Sequence, residues 1–341
     1  MSEYTLQVIW YLVIGASIVF YCMLDGFDLG VGSLHLFVKE DKHRRIFLNA
    51  IGPVWDGNEV WLVVILGALF SGFPEVYATV ISSYYNLMMI FLAGLIFRAV
   101  AIEFRSKKPS QRWRKSWDVF FCFSSIIISF LLGVILGDLI YGVPINKEQV
   151  FVGSFKDFFT PYSVILGIFA VSLFMMHGCI YLIMKTQDEL QQKLSRWVYP
   201  SIIFFITMYV ITTIATFIYS PHMLDCMNDC HWFLFLPAAT ILIIANIPRE
   251  VRKGNVGRAF ICSCLSMIFL LALFGVGTFP IMLRSNLDPA QNSLTLLNSS
   301  SILTLKVLFT IAVIGVPLVL AYGYFIYKIF KGKVELEEHS Y

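Results

Sequence analysis

The feature that most constrains this 341-residue chain is a succession of apolar runs, each longer than the roughly 18 residues that mark a bilayer span. A backbone in lipid must satisfy its own N–H and C=O groups, so such runs fold as helices. Nine spans are read, at about 6–30, 52–73, 76–100, 117–140, 161–184, 197–219, 231–248, 257–282 and 303–329. The expected fold is an all-α polytopic membrane protein. Only 14% of the residues are charged, against roughly 25% in a soluble domain, and no loop is long enough to fold by itself. The first run does not read as a cleavable signal: it is too long, lacks a basic start, and ends in Asp25 and Asp28. A shallow change near 141–160 divides this one membrane domain into residues 1–140 and 161–341.

Nine spans put the termini on opposite sides, and the basic residues choose which. Lys39, Lys42, Arg44 and Arg45 lie in the first loop, and Arg105, Lys107, Lys108, Arg112, Arg114 and Lys115 in the third. Lys185, Lys193 and Arg196 follow in the fifth, Arg249, Arg252, Lys253 and Arg258 in the seventh, and Lys328, Lys331 and Lys333 in the tail. Twenty of the 25 Lys and Arg thus share one side, which the positive-inside rule makes cytoplasmic. The N-terminus is expected outside and the C-terminus inside. A net charge of +3 gives no reason to expect a nucleic-acid partner.

Ionisable groups inside spans are costly and mark a pathway or a partner. Span one carries Asp25 and Asp28, span two opens with Trp55, Asp56 and Glu59, span three ends in Arg98 and Glu103, and span four begins with Asp118. With the orientation above, all come to the cytoplasmic third of the first four spans. Pro53 is read in the first turn of span two, so that Asp56 and Glu59 lie at the positive end of a helix dipole, and Asp25 and Asp28 near a negative one. Asp56 is expected beside Arg98 or water, and the span-one acids are expected to exchange protons. Two readings fit: a proton-conducting entrance from the cytoplasm, or a structural ion-pair cluster with Arg98 snorkelling to the interface.

Other chemistry finds little support. His177 is the one histidine well inside a span, so a haem held by two histidines has no second ligand, and an interior hydrogen-bonded role is expected. Cys226 and Cys230, flanked by His222 and His231, read as a disulfide, as two thiols, or as metal ligands. No metal site is assigned, and no phosphate loop or hydrolytic triad is present.

Several motifs together resemble subunit II of the cytochrome bd-type ubiquinol oxidases, including the cyanide-insensitive branch. They are Asp25-Gly-Phe-Asp-Leu-Gly-Val-Gly32, Gly52-Pro-Val-Trp-Asp-Gly-Asn-Glu-Val-Trp-Leu62 and Gly67-Ala-Leu-Phe-Ser-Gly-Phe-Pro74. Tyr84, Arg98, Glu103-Phe-Arg105, Trp113, Trp117-Asp118, His177-Gly, Lys185-Thr186, Phe279-Pro280 and Asn298-Ser-Ser-Ser301 extend the resemblance over the whole chain. It implies two four-helix bundles with one peripheral helix. It also implies a partner, subunit I, that carries haems b and d and oxidises quinol, with no catalytic residue and no directly bound cofactor in this chain. A cytoplasmic proton route through Asp25, Asp28 and Asp56, beside Trp55, is implied as well; some members have Gln where Glu59 stands. Some members hold a structural quinone in this subunit, and the resemblance leaves room for lipid and small single-span subunits as further partners. The setting implied is the bacterial inner membrane. Two other functions use the same residues: a proton- or cation-coupled transporter, which would place its site at the midplane between repeats, and a purely structural partner subunit.

Overall fold

The structure is a computed structural model and describes residues 2–225 and 231–336. Helix α1 runs Glu3–Leu34, started by Ser2, whose hydroxyl accepts from the Thr5 N–H. Then follow α2 (Asp41–Ile51), α3 (Trp55–Gly72), α4 (Pro74–Ser83), α5 (Tyr85–Phe104) and α6 (Gln111–Tyr141). The second half holds α7 (Pro161–Lys185), α8 (Asp188–Tyr219), α9 (Phe235–Arg252), α10 (Val256–Thr278) and α11 (Ile302–Ile329). A short antiparallel pair, β1 (Ile281–Leu283) and β2 (Leu294–Thr295), links the last two helices.

Among the described residues, seven helices are long and apolar enough to cross a membrane, or eight if the bent pair α2 and α3 counts as one span. The expectation of nine is not met on that measure. Helix α9, at the expected 231–248 span, ends in Arg249, Glu250 and Arg252 and is not among the seven. Two connections also differ from the expected spans. The first loop contains α2, which meets α3 at 48° across the turn at Gly52–Val54. Pro53 thus lies in the bend rather than in the first helical turn. The expected 76–100 span is divided at Tyr84 into α4 and α5.

The inner half of α1 is the hub. Every residue from Asp25 to His35 is buried, with α6, α7, α3 and α10 packed around α1. Lipid supplies no hydrophobic drive between helices, so the contact depends on small residues that let backbones approach. A Cβ at Gly30 would stand 1.9 Å from the Phe174 carbonyl oxygen, and one at Gly178 would stand 2.5 Å from the Gly30 carbonyl carbon. Gly133 and Gly137 bring α6 equally close to Gly167 and Ser163 of α7. Helix α11 lies at the periphery, with Leu305 its one buried residue. It is fixed near its ends by Trp10 Nε1 donating to the Leu305 carbonyl (3.1 Å) and by Tyr327 reaching α3. The Cys226–Cys230 pair lies outside the described residues.

Candidate functional site

Three helices bring a charged cluster into the interior. Arg98, on α5, is 1% exposed and donates through Nη1 to both oxygens of Asp25 on α1, at 2.7 and 2.9 Å. Its other terminal nitrogen lies 3.4 Å from Glu59 on α3, whose side chain is 20% exposed. One turn along α1, Asp28 is buried without an arginine partner of its own. It accepts from Asn58 Nδ2 at 2.8 Å, and the same amide donates to the Leu24 carbonyl at 3.2 Å. Asn58 Oδ1 accepts in turn from the Tyr327 hydroxyl of α11, at 2.7 Å. Asp28 Oδ1 and Arg98 Nε have no hydrogen-bond partner among the described residues.

The expected constellation is only partly assembled. Asp25, Asp28, Glu59 and Arg98 come together, and Trp55 is half-buried at the start of α3. Asp56 does not reach Arg98: it is exposed, on the outer face of the first turn of α3, within electrostatic reach of Glu59. The expected dipole contrast holds for α3 alone. Helix α1 continues to Leu34, so Asp25 lies nine residues before its end, beyond the last turn in which the helix dipole acts.

Asp118 belongs to a second cluster at the basic ends of the helices. Its carboxylate accepts from His35 Nε2 (2.6 Å), Arg44 Nη1 (2.7 Å) and Arg105 Nε (2.5 Å). Asp41 joins Arg105 to Arg114, at 2.7 and 2.9 Å. This network ties α1, α2, α5 and α6 together. Glu103 is half-buried on the last turn of α5.

His177 has both ring nitrogens engaged. Nε2 lies 3.0 Å from the Met23 carbonyl, so it must donate there, and Nδ1 lies 2.7 Å from Ser263 Oγ. The ring stacks on Phe260 with centroids 4.7 Å apart. These bonds brace the turn of α1 that carries Asp25. Among the described residues, no group of three or more His, Cys, Asp or Glu could hold a metal ion.

The sequence reading missed Asn58 and Tyr327 as site residues. Asn58 sits one position from Glu59, in a stretch already marked by its polar groups. Tyr327 gave no signal, because a tyrosine near a span end is ordinary at a membrane interface.

The chain matches the model of the family described as cytochrome bd terminal oxidase subunit II over residues 6–330. It is 30% identical over 378 residues to the cytochrome bd-I ubiquinol oxidase subunit 2 of Escherichia coli strain K12, covering 100% of each chain. To the cytochrome bd ubiquinol oxidase subunit 2 of Bacillus subtilis strain 168 it is 31% identical over 338 residues, 98% of each. A chain in the structure of the bd oxidase from Geobacillus thermodenitrificans superposes with a TM-score of 0.76 at 17% identity, covering 96% of this chain and 98% of that one. That last likeness concerns the fold.

Proposed function

Since the chain belongs to the cytochrome bd terminal oxidase subunit II family, we propose that it feeds protons from the cytoplasm to an oxygen-reducing haem in a partner subunit. Family membership makes it part of a membrane-bound respiratory oxidoreductase. The finer reading is that it packs against a subunit carrying haems b and d and supplies the protons that turn oxygen into water. In the inner membrane, its basic loops would then face the cytoplasm.

The observation that carries this reading is a gradient of exposure along one set of acids. Asp56 is exposed, Glu59 is partly buried, and Asp25 and Asp28 are enclosed, with Arg98 spanning Glu59 and Asp25. That is a route from surface to interior. The two span-one acids divide the work. Asp25 is the counter-charge of Arg98, so protonating it would leave a buried cation short of its partner. Asp28 is held by an amide and a free lone pair, so it accepts a proton without breaking an ion pair. Asp28 is therefore assigned as the carrier and Asp25 as the residue that positions Arg98. Oδ1 of Asp28 and Nε of Arg98 are the polar groups a file of waters would use. The transporter alternative fits less well, since such a site is built near the middle of its spans, whereas Asp25 and Asp28 lie in the last third of α1.

The test is quinol-driven oxygen uptake by the assembled complex, with haem content as the control for assembly. Asp28→Asn should slow turnover at least about tenfold, a barrier increase of about 1.4 kcal/mol, while Glu59→Gln has a smaller effect. Normal turnover in a fully assembled Asp28→Asn complex would reduce the cluster to an ion-pair joint.

A further inference from the structure

A second enclosed carboxyl lies at the opposite end of the helix bundle, away from the basic loops. Asp138 is one turn from the end of α6, with 0% exposure, and no ion pair among the described residues involves it. Its Oδ1 is hydrogen-bonded to Ser163 Oγ of α7, and its Oδ2 has no partner. Gly137 makes the approach possible, since a Cβ there would stand 2.6 Å from Ser163 Cα. Ser163 is itself fully buried, and its hydroxyl lies 2.8 Å from Thr160 Oγ1. Thr160, the N-cap of α7, is half-buried at the surface. An unbroken chain of oxygens therefore runs from an enclosed carboxyl to the half-buried N-cap of α7.

The titratable groups that face Asp138 are few. From the α4–α5 junction, the buried Tyr84 hydroxyl is within its electrostatic reach and also lacks a hydrogen-bond partner. From the segment after α8, His222 bonds the carbonyl of Ile140, two residues further along α6. Arg284 and Asp225 lie beyond His222, lining a cavity of about 280 Å³ that Asp138 does not line. From α7, Tyr162 bonds Thr216 of α8. An ionised Asp138 would thus be a charge at membrane depth with no counter-charge, which is costly. The N-terminus of α7 offers about half an elementary charge. Of its first-turn positions, Pro161 has no N–H, the Ser163 N–H is bonded to Thr160 Oγ1 and the Val164 N–H to the Thr160 carbonyl. The neutral acid is the form this site accommodates.

We propose that Asp138 holds a proton in the resting protein and exchanges it, through Ser163 and Thr160, with the aqueous face opposite the basic loops. On release the carboxyl O–H donates its proton to Ser163 Oγ, Ser163 passes its own to Thr160 Oγ1, and Thr160 passes its own to water. Return of a proton runs the same chain backwards. No oxidant or further reactant is needed. The site is independent of the Asp28 route, shares no residue with it, and opens to the other side.

Infrared difference spectroscopy of the assembled oxidase complex in oriented vesicles tests this. A C=O band of a protonated carboxylic acid, downshifted in D2O, should be present in wild type and in Asp28→Asn and absent in Asp138→Asn. Raising the pH on the face opposite the basic loops should weaken the band while the other face is held constant. Ser163→Ala, which keeps Asp138, should slow that response about tenfold or more. Should Asp138→Asn fail to assemble, the Ser163→Ala response and the wild-type sidedness carry the test. A band unchanged in an assembled Asp138→Asn complex, a response to the basic-loop face, or an unaltered rate in Ser163→Ala would each overturn the proposal.

Discussion

Removing Asp25 is the most informative single change, because Arg98 would be left almost wholly buried with half of its counter-charge. The two groups touch through contacts of 2.7 and 2.9 Å. Charge centres about 4 Å apart attract by about 4 kcal/mol at an effective dielectric near 20. Deleting one partner of a buried pair costs about 3–5 kcal/mol. Glu59, 3.4 Å from Arg98 Nη2 and one-fifth exposed, retains part of the neutralisation. Asp25→Asn should therefore destabilise by about 2–4 kcal/mol. The assay is an SDS titration of the purified complex, performed on Asp25→Asn, Arg98→Gln and the double variant. The double variant replaces an ion pair by two amides, so it should recover at least about 2 kcal/mol relative to the sum of the single changes. Additivity within about 0.5 kcal/mol would mean that the two residues do not act as a pair, and the reasoning about the carrier would fall with it.

The second cluster gives a parallel expectation: Asp118→Asn releases His35, Arg44 and Arg105 together and should cost about 3–5 kcal/mol, seen as faster tryptic cleavage between residues 105 and 115. Gly30→Ala places a methyl group against the backbone of α7 and should cost more than about 3 kcal/mol or abolish assembly, whereas Gly15→Ala, with open space around it, should stay within about 0.5 kcal/mol. In the segment after α8, burial first and the nearby Arg284 second hold His222 below its ordinary value. The folded state then binds fewer protons than the unfolded one as the pH falls below about 6.5, so His222 makes the protein lose stability in that direction. His222→Gln should flatten that part of the stability–pH curve, and an unchanged slope would refute it.

Much of the architecture was legible in the residues. Apolar length placed most of the spans, because helices satisfy the backbone without help from elsewhere and local sequence is then enough. The connections were less legible. Residues 41–51 are too polar to read as a span and too short to announce a helix, yet they fold as α2 because Phe47, Leu48 and Ile51 find a buried face. Tyr84 divides an apolar run that hydropathy reads as continuous, since nothing in composition marks a change of direction.

The acids were visible for the same reason as the spans: an ionisable group in an apolar run is conspicuous by itself. Asp25 and Asp28, three residues apart on α1, are both buried. Sequence alone could not say which way each helix turns about its axis. Each residue turns a helix by about 100°, so on α3 Asn58 faces in, Glu59 lies to the side and Asp56, about 160° round from Asn58, faces out. A soluble helix reveals its buried side by amphipathic contrast, but lipid and protein interior are equally apolar, so the spans carry no such mark. Their rotation was decided by Gly30 against Gly178 and Gly137 against Ser163, contacts between residues far apart in the chain. Those contacts also chose Asp25 for Arg98, gave Asp118 to a different cluster, and brought Tyr327 to Asn58 across 269 positions.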